Sequence, residues 1–469
     1  MLRTEFMGTL VNDVHSALNP IWVRTVEVVQ SRSELQHIVN VASKQDVCIS
    51  IAGGRHAMGA QQFATDSILV DTTSLNRILS LDEERGLLKV EAGIQWKKLV
   101  YGLIQMQPDP ENGWGVRQKQ GGSDEICIGG TLSANAHGRA LMMKPIVDDV
   151  ESFELVNAKG ELITISRTEN SELFKLVIGG YGLFGIIYSV TLRLSRRKIL
   201  RRVVEVIDIE SLNQTIQDSV LRGAVYGDFQ YDVDEKSDSF MCRGIFSSYE
   251  PVDPAVQIPT EQKKLSPELW SNLLYLAYTD RRTGFDLYCD HHVSTSGQLY
   301  WSDLSQMSTY DKGYRTFIDK KLGRRTPSSL MLSELYTPRE KLVEFMYRAR
   351  EILRTRNSIV IYGTIRMIQK DEETFLPWAR ENYACVIFNI LINHTADGIA
   401  NAADTFRALI DLSVSVNGSY YLTYHKWARK EQLLACYPQM PEFLEKKQIY
   451  DPSLVFQSDW YRHHHQMLS

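Results

Sequence analysis

Residues 51–61 read Ile-Ala-Gly-Gly-Arg-His-Ala-Met-Gly-Ala-Gln. An apolar run at 47–51 leads into it and another at 67–71 follows it, and both predict buried strands. Three glycines within seven residues predict a turn whose backbone approaches another group closely, and its bare N–H groups suit a pyrophosphate. The spacing is not Gly-x-Gly-x-x-Gly and no helical pattern follows, which argues against a nicotinamide-type Rossmann site. A glycine-rich hairpin turn without a ligand is the alternative interpretation.

Two further glycine-rich segments lie downstream of this turn. Residues 121–138 contain the pair Gly129-Gly130, and residues 178–187 read Ile-Gly-Gly-Tyr-Gly-Leu-Phe-Gly-Ile-Ile. In order, spacing and intervening strands, the three segments resemble the FAD-binding domain of the vanillyl-alcohol oxidase family, the PCMH-type flavoproteins. The resemblance implies FAD as cofactor and an α+β fold with two domains. These are a PCMH-type FAD-binding domain and an antiparallel-sheet substrate cap domain.

The resemblance also implies how the chain is divided. We expect the FAD-binding domain at residues 1–198 and the cap domain at residues 199–417. Residues 418–469 resemble the C-terminal segment that returns to the FAD domain, and they include the ending Tyr450 to Asp459. Within the cap, the resemblance is thinnest over residues 199–330.

Composition narrows the class of protein. Of 469 residues, 43% are apolar and 23% charged, which is ordinary for a globular protein. The net charge of −5 leaves no basic excess for a nucleic-acid partner. No apolar run approaches the length of a membrane span, and no secretory signal is visible. The six cysteines form no C-x-x-C pair, so we expect reduced thiols and a cytoplasmic protein. Oligomeric state and association with a membrane surface stay open.

Local patterns predict the secondary structure that carries these motifs. Residues 106–125 are rich in proline and glycine and predict a long loop. Residues 419–426 resemble the closing strand of decaprenylphosphoryl-ribose oxidase. Periodicity and capping residues predict helices at 31–43, 96–105, 132–136, 172–177, 266–278, 339–355 and 399–414.

His56 is the residue expected to hold the flavin. The turn around it is similar to that of cytokinin dehydrogenases and alditol oxidases, where this histidine is joined covalently to the 8α-methyl group of the flavin. The resemblance therefore implies covalent attachment, although Ala57 replaces the common serine. Non-covalent FAD, as in decaprenylphosphoryl-ribose oxidase, is the alternative. A second covalent bond through Cys127 is not expected, because this cysteine lies only two residues before Gly129.

The resemblance implies a wider set of cofactor contacts. Small residues are expected beside the pyrophosphate and the ring edge, and Ile187 beside the adenine half. The complete expected set is Ile51, Ala52, Gly53, Gly54, Arg55, His56, Ala57, Met58, Gly59, Gln61, Gly122, Ser123, Cys127, Ile128, Gly129, Gly130, Ser133, Ala134, Asn135, His137, Ile187 and Tyr421.

Five residues are expected to act on the substrate. Glu334 resembles the glutamate of alditol oxidases, and Arg366 matches a basic active-site residue of decaprenylphosphoryl-ribose oxidase. Tyr424 stands where that oxidase has a lysine, and Lys426 is displaced from that place by two residues. His137 is expected to bond the ring or the substrate, with a turn-capping role as the alternative. Cys385 also falls at an active-site position of that oxidase, but a core thiol is the stronger interpretation.

These resemblances imply oxidation of a CH–OH group by hydride transfer to flavin N5, with a nearby base taking the hydroxyl proton. The expected substrate is a polyol, a sugar or a sugar-containing metabolite, and the expected acceptor is O2 or another oxidant. No metal is expected. Alternative functions are the oxidation of a lipid-linked sugar with non-covalent FAD, and a dehydrogenase or reductase reaction at a C–N or C=C bond. A flavin-binding protein without turnover is the alternative from another class.

Overall fold

The computed structural model describes residues 8–308 and 314–469. Its N-terminal part contains eleven strands and four helices over residues 9–196. The strands are β1 (Thr9–Val11), β2 (Ile21–Val23), β3 (Thr25–Val28), β4 (Ile49–Ala52), β5 (Ile68–Asp71), β6 (Ile78–Asp82), β7 (Leu87–Glu91), β8 (Trp114–Val116), β9 (Val150–Val156), β10 (Leu162–Ser166) and β11 (Ile186–Arg196). The helices are α1 (Arg32–Gln45), α2 (Trp96–Met106), α3 (Ile128–Ser133) and α4 (Ser171–Val177).

The remainder of the described chain contains eight strands and nine helices. The strands are β12 (Ile199–Asp208), β13 (Tyr226–Tyr231), β14 (Arg243–Pro251), β15 (Leu299–Trp301), β16 (Ser328–Pro338), β17 (Val360–Ile368), β18 (Tyr383–Asn393) and β19 (Ser419–Tyr420). The helices are α5 (Ile209–Leu221), α6 (Pro267–Thr279), α7 (Arg281–Val293), α8 (Tyr314–Lys321), α9 (Leu342–Thr355), α10 (Ala396–Ser415), α11 (Lys430–Cys436), α12 (Met440–Tyr450) and α13 (Asp459–Leu468). Short 3-10 turns occupy Ile146–Asp149, Leu304–Gln306 and Arg339–Lys341.

The glycine turn at 53–59 is a crossover and not a hairpin. Strands β4 and β5 on its two sides pair in parallel, in a three-stranded sheet of order β3-β5-β4. Parallel neighbours need a longer connection than a hairpin gives, so the chain must leave the sheet edge between them. The glycine turn therefore lies at the carboxyl end of β4, where ligands of parallel sheets commonly bind.

Two antiparallel sheets form the rest of the framework, so the fold is α+β. One has the order β10-β9-β11-β7-β6, and β8 adds to β11. The other has eight strands in the order β15-β12-β14-β13-β17-β18-β16-β19. The FAD-binding type of domain and the antiparallel-sheet domain expected from the sequence are both present.

The C-terminal segment makes a backbone connection to the first sheet. Phe456 bridges Ile49 of β4 in parallel, and the N–H of Ile49 donates to the carbonyl of Val455. The N–H of Asp459 donates to Phe63, beyond the glycine turn. These bonds hold the end of the chain against the strand that leads into the turn.

Three local predictions were wrong. The helix expected at 132–136 is instead α3 at 128–133, because Gly129 donates its N–H to Ala92 and starts the helix earlier. The strand expected at 419–426 ends at Tyr420, because the next residues turn to bond the N-terminal part. The loop expected at 106–125 contains β8, which extends the second sheet through β11. No helix in the described ranges has both the length and the apolar character required to cross a membrane.

Candidate active site

A cavity of about 910 Å³ lies between the glycine-rich segments and the eight-stranded sheet. Most of the expected cofactor residues line it. They are Ile51, Gly53, Gly54, Arg55, His56, Ala57, Gln61, Gly122, Ser123, Cys127, Gly129, Gly130, Ser133, Ala134 and Ile187. A volume of this order is typical of a site for a cofactor-sized ligand.

The other expected cofactor residues surround the cavity without lining it. Met58 and Ile128 are buried in the main apolar core. Ala52 packs in a smaller core beside β1 and β2. The N–H of Gly59 donates to the side chain of Gln61. The remaining members, Asn135, His137 and Tyr421, take part in the buried contacts described below.

The first two glycine-rich segments pack directly on each other. A Cβ on Gly53 would lie 3.0 Å from Sγ of Cys127, and a Cβ on Gly54 would lie 2.6 Å from the carbonyl oxygen of Glu125. Only residues without a side chain allow this approach, which explains the two glycines physically. The turn and the second segment therefore form one continuous wall of the cavity.

This wall has the shape that an extended dinucleotide requires. A Cβ at Gly130 or at Gly122 would meet no atom within 4 Å, so the backbone at both places is open to the cavity. Gly122 has φ +92°, a backbone conformation that favours glycine. Ile51, Cys127 and Ile187 add apolar surface on which flat rings can pack. The residues present therefore fit FAD, with open backbone for the phosphates and apolar surface for the rings.

His56 lines the cavity in contact with a second histidine. Nδ1 of His56 and Nε2 of His15 are 2.8 Å apart, so one ring donates to the other. The segment carrying His15 is tied to the turn, since Val14 donates its N–H to Arg55 and the Asn19 side chain donates to Met58. Burial lowers the pKa of His15, and Asp13 offsets this in part. The His56 ring is therefore held from its Nδ1 side.

His137 and Glu334 form the centre of a buried hydrogen-bond network. Nε2 of His137 is 2.7 Å from Oε1 of Glu334, and Nδ1 of His137 is 2.9 Å from the carbonyl oxygen of Gly138. The Tyr336 hydroxyl donates to the same Oε1 at 2.5 Å, and the Tyr424 hydroxyl donates to Oε2 at 3.3 Å. Both carboxylate oxygens of Glu334 therefore have partners, as a buried charge requires.

The network fixes the protonation of its members. Burial alone would raise the pKa of Glu334, but His137, the Tyr336 hydroxyl and the Cys385 thiol outweigh burial, so this pKa lies below its usual value. Burial and the Glu334 charge raise the pKa values of Tyr336 and Tyr424 well above the ordinary value. Glu334 is accordingly a carboxylate, and both phenols remain protonated donors.

Strand register explains why these groups meet. Tyr336, Cys385 and Arg366 stand opposite one another on β16, β18 and β17. Glu334 is two residues from Tyr336 and therefore points to the same face of the sheet. Cys385 lies with its Sγ 3.7 Å from Nε2 of His137, and burial raises its pKa well above the usual value. Because the donor atoms of His137, Glu334 and Cys385 already contact one another, we interpret the group as a hydrogen-bond network and not as a metal centre.

The five expected catalytic residues have different positions relative to the cavity. Tyr424 and Arg366 line it, whereas Glu334 and His137 lie behind Tyr424. Lys426 does not line it. Burial is the main cause of its lowered pKa, and Asp459 of α13 raises it in part. The structure thus brings four of the five together and leaves Lys426 beside the C-terminal helix.

Sequence reasoning missed several cavity residues, including His15, Lys119 and Arg139. His15 lies in the N-terminal lead-in, and no periodicity marks it. Lys119 has a fully buried side chain that lies 2.8 Å from Asp124, and Arg139 pairs with Asp228 at 3.5 Å. Two of them adjoin motifs that the sequence analysis identified. Arg139 directly follows His137-Gly138, and Lys119 shortly precedes Gly121-Gly122, so both could have been predicted as cavity residues.

Tyr421 and Asn135 take part in hydrogen bonds that connect the end of α3 to later parts of the chain. The Tyr421 hydroxyl donates to the carbonyl of Ala134 at 2.7 Å, just after α3. The Asn135 amide donates to Asp371 at 2.8 Å, and the Trp378 indole donates to the carbonyl of Asn135 at 2.9 Å. These buried bonds fix the end of α3 against the loop that follows β17.

Comparison with known proteins agrees with this geometry. A family described as "FAD binding domain" matches residues 24–166. L-gulono-1,4-lactone dehydrogenase of Mycobacterium tuberculosis is 24% identical over 435 residues, which cover 92% of this chain and 94% of that protein. Cytokinin dehydrogenase 1 of Arabidopsis thaliana is 30% identical over 33% of this chain and 26% of its own. L-gulonolactone oxidase of Mus musculus is 23% identical over 35% of each chain.

The match to the FAD-binding family covers β3 to β10, which contain the first two glycine-rich segments. The match to the lactone dehydrogenase extends across the eight-stranded sheet as well. The chain therefore contains an FAD-binding domain at residues 24–166 and is an FAD-dependent oxidoreductase, similar to the enzymes with a PCMH-type FAD-binding domain.

Proposed function

We propose that the protein oxidises a CH–OH group of a sugar, a polyol or a sugar lactone. The observation that carries the proposal is the chain of hydrogen bonds from Tyr424, at the cavity, to the buried pair Glu334 and His137. The names of the lactone dehydrogenase and oxidase relatives support a sugar-derived substrate. Either O2 or another oxidant serves as the final acceptor.

FAD, when bound, supplies the hydride acceptor. The residues proposed to hold it are those of the glycine turn, of the segment 122–135 and Ile187. We further propose that His56 attaches it covalently. The histidine lines the cavity, and its ring is oriented by His15 at 2.8 Å. A ring that is already oriented reacts more readily than one that must be ordered during the reaction.

The protein groups are proposed to move the hydroxyl proton. The substrate hydroxyl donates to Oη of Tyr424, whose own proton is shared with Oε2 of Glu334 at 3.3 Å. As the substrate oxygen loses its proton, Oη accepts it and passes its original proton to the pair formed by Glu334 and His137. Arg366, which also lines the cavity, holds an oxygen atom of the substrate and so positions it at Tyr424.

Substitution of the relay tests this mechanism. Tyr424→Phe and Glu334→Gln should lower kcat by about 10²–10⁴-fold, the range typical of general acid–base groups, while FAD stays bound. Tyr347→Phe is the matched control, since Tyr347 is an exposed phenol that donates to Glu210 on the surface. Turnover of sugars, polyols and lactones at the wild-type rate in both relay variants would contradict the mechanism.

A further inference from the structure

The cavity is lined by far more cations than anions. Asp228 is the only acidic residue among its lining residues in the described part of the chain. The protein as a whole has a net charge of −5, so the basic lining is not a consequence of composition. The cations that line the cavity are Arg55, Lys119, Arg139, Arg202, Lys263, Lys264, Arg281 and Arg366.

Half of these cations are already neutralised. Arg55 pairs with Asp71 at 3.2 Å, and Arg281 pairs with Glu235 at 2.5 Å. Lys119 and Arg139 have the carboxylate partners described above. Among the residues that the structure describes, no acidic partner lies within ion-pair distance of the remaining four cations, which are Arg202, Lys263, Lys264 and Arg366.

Arg366 is the unpaired cation nearest to the proposed reaction centre. Its guanidinium lies on Gly121, where an added Cβ would come within 2.4 Å of Nη1. Its Nε is buried and has no hydrogen-bond acceptor among the described residues. Burial is the main cause of the lowered pKa of Lys119, and the charge of Arg366 adds to it. The same charge opposes the rise in the pKa of Tyr424 that burial causes, so all three groups lie around one region of the cavity.

Like Arg366, the other unpaired cations lie in the part of the chain that follows the N-terminal part. Arg202 is on β12, and Lys263 and Lys264 lie between β14 and α6. The Nε of Arg202 is also buried without an acceptor in the described chain. The segments proposed to hold the FAD phosphates are on the N-terminal side, where the lining cations Arg55, Lys119 and Arg139 already have carboxylate partners. The unpaired cations are therefore available to a different anion.

We infer that the substrate is itself anionic: a sugar or polyol derivative whose carboxylate or phosphate group is held by Arg366. The inference rests on the proposed function, because it concerns the same cavity. A cavity lined mostly by one sign of charge concentrates ligands of the opposite sign, and a partly buried cation without a partner is stabilised by a bound anion. A neutral lactone would leave Arg366 uncompensated, whereas the acid formed by opening that lactone would pair with it.

Matched substrates test the inference on the FAD-containing enzyme. L-Gulono-1,4-lactone is compared with L-gulonate, and D-glucose with D-glucose 6-phosphate, so that carboxylate and phosphate are separate arms. We expect kcat/KM for at least one anionic member to exceed that of its neutral partner by tenfold or more. This preference should fall with added salt, which screens charge. Equal or better use of both neutral partners would overturn the inference while leaving the proposed function intact.

Variants and a binding readout complete the test. In Arg366→Met the preference for the anion should fall by at least tenfold, whereas Arg348→Met, which removes an exposed arginine of α9, should keep it. Calorimetric titration of the Glu334→Gln enzyme with L-gulonate and with D-glucose 6-phosphate measures binding apart from turnover. Binding of neither anion would overturn the inference. If no sugar, polyol or acid reduces the wild-type flavin, the proposed function fails and the inference fails with it.

Discussion

At the residue scale, His56 is defined by its contact with His15 and not by the glycine turn alone. The glycines make room for the ring, and the hydrogen bond at 2.8 Å decides how it is oriented. The sequence predicted His56 as a cavity residue from a motif. It gave no indication of His15, because the two residues are 41 positions apart and no local pattern connects them.

Covalent attachment through His56 leads to a simple prediction. Flavin fluorescence should stay on the protein band of a denaturing gel for the wild type and be absent from the band for His56→Ala. His37→Ala, which changes an exposed histidine of α1, is the control and should keep the fluorescence. Fluorescence that leaves the wild-type band on denaturation would show instead that FAD is held non-covalently.

Burial of His425 should make the free energy of unfolding depend on pH. This histidine is buried among Phe406, Tyr420 and Trp427, and burial lowers its pKa from 6.5 to about 3. Between these two values the unfolded chain binds a proton that the folded chain does not, so stability is lost as the pH falls below 6.5. At pH 5 this single group should cost about 2 kcal/mol relative to pH 7.

The variant His425→Phe keeps a ring in the same packing site and removes the titration. The free energy of unfolding is measured by denaturant titration at pH 7 and at pH 5. Its decrease between these pH values should be about 2 kcal/mol smaller in the variant than in the wild type. The exposed His37 provides the control, since His37→Phe should leave the pH dependence unchanged. An unchanged pH dependence in His425→Phe would show that folding does not lower the pKa of this histidine.

At the element scale, the two adjacent glycines of helix α3, Gly129 and Gly130, have different roles. A Cβ on Gly129 would lie 3.0 Å from Cβ of Ala92, whereas a Cβ on Gly130 would enter the open cavity. Gly129 is thus needed for packing against the chain after β7, and Gly130 for access to the cofactor. The sequence motif made no distinction between them.

The glycine pair gives a matched prediction. Gly129→Ala should destabilise the fold by about 1–3 kcal/mol through overpacking. Gly130→Ala should leave the apoprotein as stable or slightly more stable, because alanine favours a helix, but should weaken FAD binding. Thermal unfolding of the apoproteins and flavin titration measure the two effects. The account would be contradicted if Gly130→Ala bound FAD as tightly as the wild type.

Sequence patterns predicted most helices and strands but failed where long-range contacts decide. The pair Gly129-Gly130 normally ends regular structure, yet the bond from Gly129 to Ala92 begins α3 there. The resemblance to decaprenylphosphoryl-ribose oxidase predicts a strand over residues 419–426. After Tyr420, however, the backbone bonds to Met58 and to the side chain of Gln61, which lie outside the sheet. Neither partner can be read from local periodicity.

At the scale of the whole molecule, the reaction centre is assembled from three distant parts of the chain. His137 follows α3, Glu334 lies on the eight-stranded sheet, and Tyr424 belongs to the C-terminal segment. Each residue was identified from the sequence by resemblance, but the sequence did not indicate which of them faces the cavity. The structure shows that Tyr424 faces the cavity and that Glu334 lies behind it. The division into domains at residues 198 and 417 stays a prediction.

The central claim is that this assembly oxidises a sugar-derived alcohol through bound FAD. The most direct measurement is to mix the purified protein, without oxygen, with the neutral and anionic sugars named above and to follow the visible absorbance of the flavin. The account predicts that at least one of them bleaches the flavin of the wild type rapidly and that of Tyr424→Phe at least a hundredfold more slowly. The account would be contradicted if none of these sugars reduced the flavin, or if the flavins of the wild type and of Tyr424→Phe were reduced equally fast.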